Sequence, residues 1–325
     1  MEAVELYTQF HPRWFESVQH YEPSDEYINV YSKIIPTSWH LQRKGLWYYA
    51  APDQATLPAQ GWKLHISVCT EDSEALLLKT LPIILEEAVY FKFLLDPRIT
   101  SLINGKLWFR NSSGKFVTIY PTSLDQFYRL GYRLSGELSS FVGPYILSDR
   151  RWPGSRSVYY RYGGFSADSV LNLDGTRRHV ITSPNGELVP DLRLPYWNHP
   201  EWAKDPFLED EQYVEPGLIL DEGRFSLTSA LSFSNRGGVY KGIDNHTGRE
   251  VVLKEARPYV EIGNYRLEAV ALLEKEYNIL RCLASTGYFV QPVKFFRAWE
   301  HAFLVEEFMP GDHLVSSLFV IARSS

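Results

Sequence analysis

Cysteine is scarce in this chain of 325 residues: Cys69 and Cys282 are the only two. Two cysteines are too few for a CxxC zinc site or a disulfide framework. Also missing is any apolar run of the roughly 18 residues a membrane span requires, so no membrane partner is expected. The first residues, MEAVELYTQFHPRWF, lack the basic and apolar regions of a secretory signal. A reduced, cytoplasmic protein follows as the expectation. No repeat of 20 to 50 residues and no low-complexity stretch is found, which excludes solenoids and fibrous arrays.

What is present is ordinary globular material, 45% hydrophobic and 22% charged, long enough for about two domains of roughly 150 residues. The net charge of −6 hides an uneven distribution. Between residues 98 and 178 stand twelve Lys/Arg against five Asp/Glu, a local excess of seven positive charges. Such an island suits a local anionic ligand, although a solvated face with its counter-charges nearby remains the plainer alternative. Aromatic residues reach 15%. No RNA-binding signature accompanies them, and no nucleic-acid partner is expected.

The clearest boundary falls at 200–224, where HPEWAKDPFLEDEQYVEPG gathers three prolines and the acidic run 209–215. Upstream, GWKLHISV (61–68) alternates with period two. The pattern predicts a half-buried strand whose polar working face carries Lys63, His65 and Ser67. Residues 71–87 predict a helix that Pro82 should kink or end. Residues 89–95 predict a mostly buried strand with Lys92 between Phe91 and Phe93. LWFR (107–110) and KFVTIY (115–120) read as strands around a turn at 111–114, and SVYYRYGGF (157–165) closes the island. Downstream come ALSFS (230–234), NRGG, VYKG and REVVLKEA (249–256), then a helical pattern over 265–283 and strands at 288–297 and 302–308. Strand, strand, strand, helix, strand, strand is the order of a kinase-type small lobe.

Lys92 is the first candidate for chemistry. At a strand edge it would simply reach solvent. Held among apolar groups and other cations, its amine would lose its proton near neutral pH and act as a general base. Lys63 and His65 place a cation and a possible proton donor side by side, although a lone histidine is more often structural. Arg110, Lys115, Arg156 and Arg161 follow, the residue types that hold a phosphate. A base, an acid and a phosphate clamp suit elimination of phosphate from a phosphorylated serine or threonine, with no metal and no organic cofactor.

GWKLHISV, VYFKFLLDPR, SSGKFVTIYP, VYYRYGGF and VPDLRLPYWNHPEWAKDPF, spread over residues 1–210, resemble the N-terminal region of class III lanthipeptide synthetases. That region is in turn similar to the phosphothreonine lyases of bacterial effectors. The resemblance implies a lyase that turns phosphoserine and phosphothreonine of a precursor peptide into dehydroalanine and dehydrobutyrine. It makes Lys92 the base, His65 the acid and Lys63 a phosphate ligand. By spacing, Arg110 and Tyr120 match the phosphate arginine and site tyrosine, while Arg156 and Arg161 flank the position of the later arginines, their register open. The role of Lys115 stays open too.

The downstream stretch resembles the small lobe of a protein kinase. SFSNRGGV (232–239) stands where the glycine-rich loop belongs, with Gly237 kept and two glycines replaced by serine. Lys254 and Glu276 match the phosphate-binding lysine and its helix partner, and FLVEEFMPGD (303–312) resembles the hinge. ATP or GTP with Mg is implied only for an intact kinase. No HRD or DFG motif occurs, so this chain is expected to be part of a longer enzyme, whose large lobe and cyclase would be partners along with the leader and phosphorylated core of the precursor. The expected fold class is α+β throughout: a lyase domain at 1–205, a linker at 206–224 and a kinase-type lobe at 225–325. Two other functions compete: a scaffold that docks the leader peptide without catalysis, and an effector-type lyase acting on a folded phosphoprotein.

Overall fold

The structure is a computed structural model and describes residues 18–53, 55–166, 169–207, 219–262 and 267–311. The acidic run 209–215 and Asp312 lie outside the described residues. The chain divides into two units. The first comprises Met1–Tyr213 with Ser234–Arg236 and Arg257–Ala269; the second comprises Val214–Phe233, Gly237–Ala256 and Val270–Ser325. The fold is α+β with antiparallel strand pairing. Among the described residues no helix is long and apolar enough to cross a membrane.

The first unit is built on a seven-stranded sheet of order β1-β2-β4-β5-β3-β7-β6. Its strands are β1 (His40–Lys44), β2 (Trp47–Ala51), β3 (Gln60–Ile66), β4 (Tyr90–Leu94), β5 (Val117–Tyr120), β6 (Arg150–Arg151) and β7 (Val158–Gly164). Helices α1 (Glu26–Ile34), α2 (Ser73–Glu87), α3 (Pro97–Asn104) and α4 (Leu124–Glu137) pack with it. Alternation along the strands sends Leu64, Ile66, Phe91, Phe93, Val117, Ile119 and Tyr160 into the main core. Lys63, His65, Lys92, Thr118 and Arg161 stand on the opposite face. A small sheet of β8 (Ser169–Leu171), β9 (Arg177–Thr182) and β10 (Leu188–Pro190), in order β10-β9-β8, follows.

Three expectations need correction. The strand expected at 107–110 is a turn, since residues 105–114 form a loop running from α3 toward β5. Of the two outcomes expected at Pro82, a kink or an end, the end does not occur, since α2 continues to Glu87. The residue a turn earlier, Leu78, is exposed, so the carbonyl that Pro82 leaves without an amide partner stands on the solvent side. Burial of Leu76, Leu77, Leu81, Ile83 and Ile84 outweighs the lost bond. The working face of β3 is not half-exposed either: Lys63, His65 and Ser67 are all buried. The loop at 142–149 closes over that end of the strand, with Ser67 Oγ donating to Pro144 O at 2.7 Å and Cys69 N to Val142 O at 2.8 Å.

Helix α4 offers a test of this packing. A Cβ at Gly131 would overlap the ring of Trp152, which is fully buried. Gly131→Ala should therefore destabilise the first unit by about 1–3 kcal/mol, although alanine prefers helix by about 1 kcal/mol. Gly136 lies in the same helix with open space around its Cα. Gly136→Ala should hold or raise the urea midpoint, and equal midpoints for the two variants would contradict the packing account.

The second unit carries a six-stranded sheet of order β11-β12-β13-β14-β18-β17 and the helix α5 (Ala269–Leu283), whose first residue belongs to the first unit. The strands are β11 (Ile219–Leu220), β12 (Phe225–Ser234), β13 (Gly237–Asp244), β14 (Arg249–Ala256), β17 (Pro292–Ala298) and β18 (His301–Glu307). The short pair β15 (Glu261–Ile262) and β16 (Leu267–Glu268) falls in the first unit. Phe225, Leu253, Phe296, Phe303 and Val305 centre the second core.

Candidate active site

Strand register assembles the site. On β4, Lys92 pairs with Tyr49 of β2 and Thr118 of β5; Thr118 pairs with His65 of β3, and His65 with Tyr159 of β7. Tyr159 in turn pairs with Arg151 of β6. Residues paired across a sheet share a face, so Tyr49, Lys92, Thr118, His65, Tyr159 and Arg151 form one row. Lys63 and Arg161, paired with each other two residues along from His65 and Tyr159, lie on the same face, as does Tyr120. Residues scattered over more than a hundred positions thus meet because each strand contributes every second side chain.

Lys92 does not sit on an edge strand: β4 is flanked by β2 and β5. Its Nζ lies 4.2 Å from the ring centre of Trp47 and 5.5 Å from that of Tyr49. Burial, helped by the positive charges of Lys115 and Arg193, pushes its pKa down to about 7. Lys63 is buried with Nζ donating to Gly164 O at 2.8 Å, and burial followed by Arg161 holds it well below the ordinary lysine value. Lys115 Nζ donates to Ser148 Oγ at 2.9 Å and to Asn111 O at 3.2 Å, and lies 3.5 Å from Asp149 Oδ1. Burial lowers it to about 8 against the pull of Asp149.

His65 shares a short hydrogen bond through Nδ1 with the carboxylate of Asp149, which also accepts from Ser148 Oγ at 2.6 Å. Burial alone would raise the Asp149 carboxyl; His65, Lys115 and these hydrogen bonds outweigh it and hold the group well below the carboxylate range. Burial pushes His65 down to about 3 even against Asp149. At neutral pH the ring is therefore neutral, its Nδ1–H donating to Asp149 and its Nε2 bare.

Arg161 Nη2 donates to Asp191 Oδ1 and to Leu192 O, each at 2.8 Å. Asp191 Oδ2 lies 3.6 Å from Arg193 Nε. Burial would raise the Asp191 carboxyl, but Arg161, Lys63 and Arg193 outweigh it and lower it. Tyr120 is buried, which pushes its phenol up. Arg110 is half-buried on the loop that leads to Lys115. Arg156 does not join this cluster: it is exposed, and its Nη2 donates to Tyr259 OH at 2.8 Å. Of the two arginines, Arg161 stands opposite Lys63 on this face and Arg156 does not. Sequence reasoning missed Asp149, Asp191, Arg193 and the Trp47–Tyr49 wall. Among the described residues no group of three or more His, Cys, Asp and Glu could hold a metal ion.

In the second unit, Lys254 Nζ donates to Glu276 Oε1 at 2.6 Å and to Glu306 Oε1 at 2.9 Å. These carboxylates outweigh burial and raise the lysine pKa. A Cβ on Gly237 would overlap the carbonyl of Glu255, so strand packing already requires this glycine. The next amide, Gly238 N, donates to Glu255 Oε2 at 2.8 Å. Lys254 is thus paired with two carboxylates, and the Gly238 amide is committed to Glu255.

A family model described as "RamC, N-terminal domain" matches residues 28–217, more than half of the chain. The "Probable SapB synthase" of Streptomyces coelicolor (strain ATCC BAA-471 / A3(2) / M145) is 37% identical over 284 residues. That match covers 87% of this chain and 30% of the relative, so the chain spans less than a third of the relative's length. Among solved structures, the type III effector/phosphothreonine lyase OspF from Shigella flexneri aligns with TM-score 0.34 and 19% identity, covering 48% of this chain and 85% of that one. A second phosphothreonine lyase structure aligns with TM-score 0.33 and 16% identity, covering 48% and 81%.

Proposed function

This chain belongs to the RamC N-terminal domain family, and from that premise we propose that its first unit eliminates phosphate from phosphoserine and phosphothreonine. The substrate is the phosphorylated core of a lanthipeptide precursor, in the cytoplasm. The observation that carries the reading is the row Lys92–Thr118–His65, with Lys63, Lys115 and Arg161 around it. A partly deprotonated amine and an imidazole stand on one buried, cation-rich face.

Lys92 takes the α-proton as a free amine and becomes an ammonium. The Cα–H electron pair forms the Cα=Cβ double bond while the Cβ–O bond breaks. The phosphate leaves with a proton from His65 on its bridging oxygen, as hydrogen phosphate. His65 is neutral before substrate binds, so its acid role requires a proton on Nε2 in the complex. A phosphate dianion beside the ring favours that proton, and Asp149 holds the opposite nitrogen. Lys63, Lys115, Arg161, Arg193 and Arg110 balance the growing charge on the phosphate. No cofactor is part of this reaction. The second unit is a kinase-type small lobe. In an intact kinase Lys254 and Glu276 would hold ATP or GTP with Mg, and the rest of that kinase and a cyclase are the partners of this chain.

Mass spectrometry of a leader-bearing phosphoserine peptide, incubated with the protein and no nucleotide, tests the reading. Loss of the elements of phosphoric acid is expected. Phosphate release that leaves serine behind would mean hydrolysis and refute elimination. A peptide that binds but stays unchanged would favour the docking scaffold.

A further inference from the structure

One buried polar group on the active face has nothing to bond. Thr118 stands at the middle of the row, paired with Lys92 on one side and His65 on the other, and it is 1% exposed. Among the described residues its Oγ1 has no hydrogen-bond partner. Other buried hydroxyls of the same unit behave differently: Ser67, Thr80, Thr100 and Ser148 each donate to a protein oxygen. Burying a hydroxyl without a partner costs free energy that a methyl group in its place would avoid. Valine has the same shape and suits a strand at least as well, so packing alone gives no reason for threonine here.

We propose that Thr118 is a substrate-contacting residue whose hydroxyl donates a hydrogen bond to a phosphate oxygen of the phosphorylated residue. The proposal rests on the elimination reading. Neighbouring strands lie about 4.8 Å apart, so the Lys92 and His65 backbones are about 10 Å apart with Thr118 midway. A residue whose Cα–H faces Lys92 and whose bridging oxygen faces His65 has to lie across Thr118. A short side chain between two long ones leaves the room for it. The surrounding cations already serve protein acceptors: Lys63 on Gly164 O, Lys115 on Asn111 O and Ser148, Arg161 on Asp191 and Leu192 O. The Thr118 hydroxyl can meet the phosphate without giving up a bond. Charge builds on the phosphate oxygens as the Cβ–O bond breaks, so the contact strengthens in the transition state and acts on kcat.

Thr118→Val in the full chain separates this role from a structural one. Elimination from the phosphopeptide should fall at least tenfold in kcat while the urea midpoint holds or rises, and Thr118→Ser should restore most of the rate. Unchanged turnover in Thr118→Val would overturn the proposal, as would a rate loss that merely follows a lowered midpoint. A wild-type protein that eliminates nothing would sink the functional reading instead. The contact is then decided with inorganic phosphate. A smaller phosphate-induced rise of the midpoint in Thr118→Val than in wild type supports it, and an equal rise overturns it.

Discussion

Lys92→Ala should abolish elimination, by about 10²- to 10⁴-fold in kcat, the range a general base supplies, while the phosphopeptide still binds. Lys92→Arg is the sharper variant. It keeps the positive charge and much of the length, but a guanidinium does not lose its proton in this pH range. If Lys92 is the base, arginine fails as alanine does; if it only steadies charge, arginine retains much of the activity. Single-turnover assays by mass spectrometry distinguish these outcomes. The free amine of Lys92 is the active form and His65 has to carry a proton in the complex, so kcat/KM should be bell-shaped, with one limb set by Lys92 near 7. A bound phosphate dianion favours the ammonium, which places the corresponding limb of kcat at higher pH than that of kcat/KM. A profile flat from pH 6 to 9 would remove Lys92 from the role of base.

The strand pattern around this lysine is legible in the sequence, and its partners are not. Alternation in GWKLHISV and the isolated lysine of YFKFL mark β3 and β4 and the side on which their polar residues fall. Register is what sequence alone does not reveal. β3 pairs with β5 and β7 and never with β4, so Lys92 and His65 meet only through Thr118, a residue with no signal of its own. Asp149 lies 84 residues from His65 in a loop beside two arginines, where an acid reads as a local counter-charge. Asp191 and Arg193 likewise occupy a stretch without periodicity. Arg156 and Arg161 look equivalent as charges. Only strand β7, which begins at Val158 and carries Arg161 opposite Lys63, separates them. The misread strand at 107–110 has the same root: LWFR is apolar enough for a strand, yet the chain uses it in a turn. Downstream, REVVLKEA coincides with β14, whereas the helix expected from 265 begins at Ala269 after β16 and the strand expected from 288 begins at Pro292.

Asp149→Asn should cost nearly as much as losing the acid itself, about 10²- to 10⁴-fold in kcat with KM little changed. The carboxylate does three things at once. It accepts from His65 Nδ1, it accepts from Ser148, and it stands opposite Lys115. An amide in its place can turn its NH₂ toward Nδ1 and so favour the ring with its proton on Nε2 and none on Nδ1. That ring carries a donor but has lost the anion that makes an imidazolium affordable inside the protein. Asp149 also draws against the burial that holds His65 near 3, so its removal lowers the ring's basicity further and leaves less protonated Nε2 in the complex. His65→Asn and Asp149→Asn remove parts of one unit, and the double variant should be no slower than the worse single variant. Multiplying losses would show that Asp149 acts apart from His65, for instance by setting Lys115 alone. Nitrogen-15 spectra of the histidine ring supply a second, activity-free measurement: a proton on Nδ1 in the wild type and on Nε2 in Asp149→Asn. The same tautomer in both proteins would contradict the assigned bond, and His65 would then owe its orientation to something other than Asp149.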